Sequence, residues 1–187
     1  MISIEPYNPA RKTGFARLKL ALEQVLQGYP VDIQHVGSTA IPGLPAKPIL
    51  DIDIIIKDLS LLNEISRQLE QAGYINRGDQ GIPGRYAFRQ RTSRVPAGRD
   101  QREWPEHHLY VCLEGCLALR NHLLFRDALL QDKSLVMQYA RLKERLSGLN
   151  GISRESYTQQ KTEFILEVLR NQGLPDVELS AIRAANS

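Results

Sequence analysis

Cysteine, aromatic residues and net charge are all scarce in this chain of 187 residues. Its two cysteines, Cys112 and Cys116, make no disulfide framework, so we interpret them as reduced thiols in a cytoplasmic protein. The formal net charge of +3 is too small to indicate a nucleic-acid partner by itself. No run approaches the roughly 20 apolar residues of a membrane span. Residues 1–17 also lack the apolar run of a signal peptide, so we expect no membrane partner. The length of the chain suits one domain.

Hydrophobic periodicity predicts strands alternating with helices in the first half of the chain and helices alone in the second. Residues 92–105 show no periodicity, and we interpret them as a long mobile loop. The predicted strands lie at 31–36, 49–56, 85–91 and 107–112. The first predicted helix follows Asn8, the second follows Asp58 or Ser60, and the others span about 116–131, 133–147 and 153–171.

Two aspartates interrupt the most apolar predicted strand, at residues 49–56. Residues two apart on a strand face the same side, so Asp51 and Asp53 present their carboxylates together. Like charges this close need a positive partner, and a divalent cation with oxygen ligands is the natural one. The alternative is a pair of exposed acids at a strand end, which the apolar flanks disfavour.

A Gly-Ser turn follows the first predicted strand, and Ser38 stands thirteen residues before Asp51. Gly37 would let the backbone approach a phosphate closely, while the following amides and the Ser38 hydroxyl donate to it. The alternative is an ordinary turn. Thr39 and Lys47 belong to the same segment, and Lys47 either contacts a phosphate or neutralises Asp51.

The segment from His35 to Asp53 reads His-Val-Gly-Ser-Thr-Ala-Ile-Pro-Gly-Leu-Pro-Ala-Lys-Pro-Ile-Leu-Asp-Ile-Asp and resembles the GrpB-like family of the nucleotidyltransferase superfamily. The resemblance covers most of residues 1–170. Further motifs follow in that family's order, namely Gly73-Tyr74, Gly84-Arg85, Phe88, His108-Leu109-x-Val111, Phe125-Arg126-Asp127, Tyr139, Lys143, Tyr157 and Lys161.

This resemblance implies an α+β fold of nucleotidyltransferase type, with a small mixed β-sheet of about five strands, flanking helices and a C-terminal helical portion. We expect one domain over residues 1–172, with its sheet core at about 1–113 and its helical portion at about 114–172. Residues 173–187 are small or polar and are predicted to form a flexible tail.

The resemblance also implies a chemistry. In the superfamily's mechanism, two Mg²⁺ ions bridge such carboxylates and the phosphates of a nucleoside triphosphate. Asp51 and Asp53 would then be catalytic metal ligands, and Gly37, Ser38 and Thr39 would bind phosphate.

The third carboxylate that active members of the superfamily supply from a neighbouring strand is missing here. Glu106, His108 and Tyr110 share the face of the strand at 107–112 on which that acid is expected. His108 either ligates a metal or acts as a base, because its reference pKa lies near neutrality. Glu106 is the alternative acid.

Seven arginines fall between residues 77 and 102. They form either a solvated edge that blocks aggregation or a guanidinium cluster for a triphosphate or an anionic acceptor. Arg85 and Arg89 are the better candidates because a strand fixes their direction. No aromatic residues interleave with the loop arginines, so a nucleic-acid platform is not supported. The seven are Arg77, Arg85, Arg89, Arg91, Arg94, Arg99 and Arg102.

Two lysines fall on apolar helix faces, Lys143 beside Tyr139 and Lys161 beside Tyr157. Such a lysine either covers the core with its stem or points its amine into a cleft. In folds related to the resembling family, C-terminal helices bring lysines to the phosphates, so we predict that both bind phosphate.

The first functional hypothesis is therefore an Mg²⁺-dependent transferase that moves a nucleotidyl group from a nucleoside triphosphate to a small-molecule acceptor. Lys161 and Arg85 would offset negative charge, and His108 would complete the metal or base position. The second hypothesis is a degenerate transferase that binds a nucleotide or a phosphorylated metabolite without turnover, which the missing acid favours. A third is an accessory domain that contacts another protein. Whether the protein is an enzyme stays open at this point, as do the acceptor, the nucleotide base and the oligomeric state.

Overall fold

The computed structural model describes residues 3–98, 102–149 and 151–186. A five-stranded mixed sheet lies at its centre, in the order β1-β2-β5-β4-β3. β2 and β5 are parallel, and the other neighbours are antiparallel. The strands are β1 (Val31–Val36), β2 (Leu50–Ile56), β3 (Tyr74–Asn76), β4 (Arg85–Gln90) and β5 (His107–Leu113).

Helices cover both faces of the sheet. The described residues contain α1 (Ala10–Val25), α2 (Leu62–Gln71), α3 (Leu117–Gln131), α4 (Lys133–Ser147), α5 (Arg154–Asn171) and α6 (Asp176–Ala185). These boundaries confirm the predicted α+β class, with a helical portion after the sheet. No helix in the described part of the chain is both long and apolar enough to cross a membrane.

The main core lies between the sheet and the first two helices. Every second residue of β2, from Leu50 to Ile56, is at most 1% exposed and packs against Leu18 and Leu22 of α1 and Leu69 of α2. Alternation along the strand therefore sends the other residues of β2, including both aspartates, to the opposite face.

A second apolar cluster fixes the segment that follows β1. Ile41 and Leu44 are buried with Leu129 of α3, Tyr139 of α4 and Val168 of α5. The C-terminal helices therefore hold the Gly-Ser turn in place and bring α4 and α5 beside it.

The prediction of a flexible tail is wrong for Asp176–Ala185, which form α6. Leu179 and Ile182 are three residues apart on one helix face and pack on Leu166 and Leu169 of α5. The sequence did not indicate this helix because small residues surround its one apolar pair.

The predicted mobile loop is also wrong for its described parts. Val95 is 5% exposed, and the Ala97 amide donates to the Ala72 carbonyl at 2.8 Å. The Trp104 amide donates to the Ser93 carbonyl at 2.7 Å, so these parts are joined to the domain by backbone hydrogen bonds. Arg99 lies outside the described residues. β3 was not predicted, because three residues are too short for a strand pattern.

Candidate active site

Two carboxylates lie side by side on the face of β2 that the first two helices leave free. The side chain of Asp53 is fully buried, and that of Asp51 is 33% exposed. Parallel pairing places Asp51 opposite His108 and Asp53 opposite Tyr110 on β5. The strand geometry thus gives the two acids the common face that their spacing predicts.

Each carboxylate has its own histidine. Nδ1 of His108 donates to Oδ1 of Asp51 at 2.9 Å, and Nδ1 of His122 on α3 donates to Oδ2 of Asp53 at 2.8 Å. Burial lowers the pKa of His122, but the charge of Asp53 and the hydrogen bond to it outweigh burial and leave that pKa raised. The sequence analysis missed His122 because it lies inside a helix with no motif around it, and only the packing of α3 brings it to Asp53.

One oxygen of the buried carboxylate has no protein partner. Oδ1 of Asp53 is inaccessible to solvent and accepts no hydrogen bond. An unpartnered buried charge is costly, and oxygen ligands are those that Mg²⁺ prefers, so the acid pair fits this ion. The part of the chain that the structure describes holds no group of three or more histidine, cysteine, aspartate or glutamate residues suited to a metal. An ion bound here would take its other ligands from water and phosphate, as Mg²⁺ commonly does.

The Gly-Ser turn presses directly against Asp51. Gly37 has φ 69° and ψ −172°, a conformation open essentially to glycine alone. A Cβ atom at Gly37 would lie 2.2 Å from Oδ2 of Asp51. The glycine is therefore required for close approach to the carboxylate, and its contact with a phosphate stays a prediction.

The residues after Gly37 make different contacts. Ser38 lies beside the hydroxyl of Tyr139 on α4. Thr39 is 3% exposed, and its hydroxyl lies 3.0 Å from Nε2 of His35. The side chain of Thr39 is thus committed to an internal hydrogen bond, whereas Ser38 lies between the turn and the helical portion.

Three lysines gather near the Asp51 end of the acid pair. Nζ of Lys161 lies 4.8 Å and Nζ of Lys47 5.9 Å from the centre of the Tyr157 ring. Lys143 is only 3% exposed, and its ammonium group donates to the carbonyl of Pro45. Residues far apart in the chain thus form one cationic group, which we call the lysine cluster (Lys47, Lys143 and Lys161).

Electrostatics within the lysine cluster favour a bound anion. Burial, and then the charge of Lys161, lower the pKa of Lys143 to about 7, although Asp51 acts in the opposite direction. Burial and the charge of Lys47 lower the pKa of Lys161. An anion placed among these amines would relieve their repulsion and raise both pKa values.

The two arginines that the sequence favoured, Arg85 and Arg89, lie in different environments. The guanidinium of Arg85 stacks over the Tyr110 ring at 4.6 Å, and its Nε is buried without a hydrogen-bond partner. Arg89 stands opposite His108 in the β4–β5 register, and its side chain is exposed. Because β4 lies beyond β5, Arg85 and the lysine cluster flank the acids from two sides.

β5, the parallel neighbour of β2, carries no third carboxylate. His108 and Tyr110 occupy the positions opposite Asp51 and Asp53. Glu106 is exposed before β5 begins, and its carbonyl accepts from the amide of Leu50 at 3.0 Å. The imidazole of His108 therefore stands where the resemblance led us to expect an acid.

This sheet, with its acid pair and adjoining Gly-Ser turn, defines a nucleotidyltransferase-type fold. A solved structure of Cid1 poly(U) polymerase with MgGTP bound has the same fold, with a TM-score of 0.59 and 14% identity. The alignment covers 87% of this chain and 50% of the Cid1 chain.

Within this fold the chain belongs to the GrpB family, whose model, described as GrpB protein, matches residues 1–171. The crystal structure of conserved protein GrpB from Enterococcus faecalis aligns with a TM-score of 0.73 and 25% identity, covering 92% of this chain and all of that one.

Two curated relatives show how lengths vary in the family. The UPF0157 protein YqkA of Bacillus subtilis is 32% identical over 164 residues, which are 88% of this chain and 45% of YqkA. The glutamate-rich protein GrpB of Alkalihalophilus pseudofirmus is 30% identical over 83% of this chain and 86% of its own length. The matched region thus spans less than half of YqkA.

Proposed function

We propose that this protein is an Mg²⁺-dependent nucleotidyltransferase that moves a nucleotidyl group from a nucleoside triphosphate to a small acceptor. The observation that supports this most strongly is the convergence of the Asp51–Asp53 pair, the Gly37–Ser38 turn and the lysine cluster at one end of β2. Carboxylates for a metal and amines for phosphates are the two charge sets that phosphoryl chemistry needs side by side.

The binding roles follow from position. Asp51 and Asp53 would hold the metal, and the orphan Oδ1 of Asp53 supplies a ligand that no protein group uses. The lysine cluster would take the triphosphate, because its amines repel one another until an anion arrives. The hydroxyl of Ser38 and the backbone of Gly37 would complete the phosphate contacts, as predicted from the sequence.

In the reaction, an acceptor oxygen forms a bond to the α-phosphorus, and the bond from that phosphorus to the bridging oxygen breaks to release pyrophosphate. When bound, Mg²⁺ would neutralise phosphate charge and lower the pKa of the attacking hydroxyl. His108 is the candidate base for the proton of that hydroxyl, because its imidazole already contacts Asp51. The lysine cluster would stabilise the charge that develops on the leaving pyrophosphate.

Two measurements test this proposal. Calorimetry with Mg²⁺ and each nucleoside triphosphate should show binding that the double variant Asp51→Asn, Asp53→Asn abolishes. Asp32→Asn is the matched control, because this exposed acid of β1 lies outside the site. A pyrophosphate-release assay with a metabolite pool then tests turnover. Unchanged triphosphate binding in the double variant would refute the proposal.

A second function is favoured by β5. His108 and Tyr110 stand opposite the acids, and both carboxylates already accept hydrogen bonds from imidazoles. These features suit a catalytically degenerate module that binds a nucleotide or a phosphorylated metabolite without turnover. Binding that depends on Asp51 and Asp53, with no pyrophosphate release from any acceptor, would select this alternative.

A further inference from the structure

A cavity of about 740 Å³ lies next to His122, the histidine that contacts the Asp53 end of the acid pair. The β4 turn, the start of α3 and the end of α6 form its walls. This volume falls within the roughly 300–1,000 Å³ range of small-molecule sites in proteins. The residues that matter for its chemistry are Gly84, Arg85, Cys116, His122, Ala181 and Ile182.

Two wall residues connect the cavity to the acids. His122 lines it and donates to Asp53 at 2.8 Å. Arg85 lines it and stacks on Tyr110, which pairs with Asp53 across β2 and β5. A molecule in the cavity would therefore contact His122 and Arg85, the two residues that link it to the Asp53 end of the acid pair.

The described lining of the cavity carries positive charge without any negative charge. Among the described residues that line the cavity, none is aspartate or glutamate, and most are apolar or small. Arg85 is the arginine of the lining, and its buried Nε has no hydrogen-bond partner. A buried, unpartnered donor on a cation is costly, and an anionic ligand oxygen would satisfy it.

We propose that this cavity is the acceptor site and that the acceptor is a small organic anion, with an apolar body along the α3 and α6 walls and a carboxylate or phosphate at Arg85. The assignment of the ligand as an acceptor rests on the proposed nucleotidyl transfer, whereas the binding of the anion does not. Arg85 then serves the acceptor, and the lysine cluster, with Gly37 and Ser38, serves the triphosphate.

The α6 wall lies outside the region that the family model matches. The family model ends at residue 171, whereas α6 spans Asp176–Ala185 and contributes Ala181 and Ile182 to the lining. Small alanine side chains on this wall leave room for the ligand's body. A larger side chain at Ala181 would fill that room without touching the acids.

Cys116 provides a reporter inside the cavity. A hydrogen bond from Cys112 lowers the pKa of Cys116 to about 6, so we expect its thiolate to react with iodoacetamide at neutral pH. In that reaction a sulfur–carbon bond forms and iodide leaves. Cys112 is fully buried, and Cys116→Ser identifies any label that is not on Cys116.

The experiment measures calorimetric binding and Cys116 labelling rates with phenylacetate and with phenyl phosphate. Acetate, which has no apolar body, and benzyl alcohol, which has no charge, are the comparison ligands. We expect at least one aromatic anion to bind and to slow labelling several-fold, and both comparison ligands to be much weaker. The stronger of the two anions identifies the preferred charged group.

Two pairs of variants locate the binding. Arg85→Gln should abolish protection, whereas Arg89→Gln, on the same strand but outside the lining, should keep it. Ala181→Phe should block binding, whereas Ser180→Phe, on an exposed position of the same helix, should not. Absence of binding by both aromatic anions, or binding that neither protects Cys116 nor responds to Ala181→Phe, would overturn the proposal.

The outcome is separable from that of the proposed function. Triphosphate binding is measured in the same variants, and Ala181→Phe should leave it unchanged. If triphosphate binds but the anions do not, the acceptor site is wrong and the transferase proposal stands. If the anions bind in the cavity but triphosphate does not bind, the transferase proposal is wrong and the cavity is a binding site for another purpose.

Discussion

Replacing Gly37 with alanine tests the contact between the Gly-Ser turn and the acid pair. The backbone at Gly37 has φ 69° and ψ −172°, and a non-glycine residue there costs about 1–3 kcal/mol in strain. The new Cβ would also lie 2.2 Å from Oδ2 of Asp51, far inside van der Waals contact. The carboxylate must therefore rotate away or the turn must shift.

The second cost adds to the first. Moving Asp51 breaks its 2.9 Å hydrogen bond with His108, a charge-assisted bond worth about 1.5–3 kcal/mol, discounted here because both side chains are partly exposed. We expect Gly37→Ala to lower the free energy of unfolding by about 2–4 kcal/mol and to abolish binding of triphosphate with Mg²⁺. The corresponding fall in melting temperature is about 5–15 °C for a domain of this size.

Gly43→Ala is the matched control. Gly43 also has a positive φ, 81°, but a Cβ there meets nothing within 4 Å. This variant should lose only about 1–2 kcal/mol from the left-handed backbone and should bind triphosphate normally. Thermal melts and calorimetry on both proteins compare the two costs. Equal melting temperatures and equal triphosphate affinities would refute the idea that Gly37 is required by Asp51.

Three further predictions concern buried polar groups. Lys143→Met should stabilise the protein at pH 6, because a buried amine with a folded-state pKa of about 7 and an ordinary value of 10.5 destabilises the fold when it is charged. The wild type gains stability as the pH rises between those two values. Urea melts at pH 10 should therefore show a smaller difference in unfolding free energy between the variant and the wild type than melts at pH 6. An equal difference at the two pH values would contradict the reasoning. Triphosphate binding at pH 8 should take up protons as the pKa of Lys143 rises, and calorimetry in two buffers of different ionisation enthalpy should show this uptake diminished in Lys143→Met. Tyr74→Phe should cost about 1–3 kcal/mol in urea melts, because Nε2 of His107 loses its buried 2.7 Å donor, and a cost near zero would exclude this bond as a stabilising one.

Local patterns were enough to predict much of this molecule. The alternation around Asp51 and Asp53 fixes their common face, because strand geometry has a period of two and one face must be buried. Lysine seldom lies on an apolar helix face, so Lys143 and Lys161 could be singled out from the sequence. The structure places both in the lysine cluster. Regular elements with clear periodicity were predicted to within one or two residues at their ends.

Other features had no local signal. β3 is too short for periodicity, and α6 has only one buried pair, Leu179 and Ile182, to reveal it. The described parts of the 92–105 segment are ordered by backbone hydrogen bonds to distant residues such as Ala72, which no local pattern encodes.

The amino-acid sequence by itself determined the acid pair, the glycine beside it and the helices that follow, because each depends on the residue types and spacing within one element. Only the tertiary structure decided which groups those acids meet. His122 reaches Asp53 across 69 residues of sequence, and Lys143 reaches Pro45 across 98. The packing of α3 and α4 on the sheet creates both contacts, and the same packing, with α6, encloses the cavity beside Arg85.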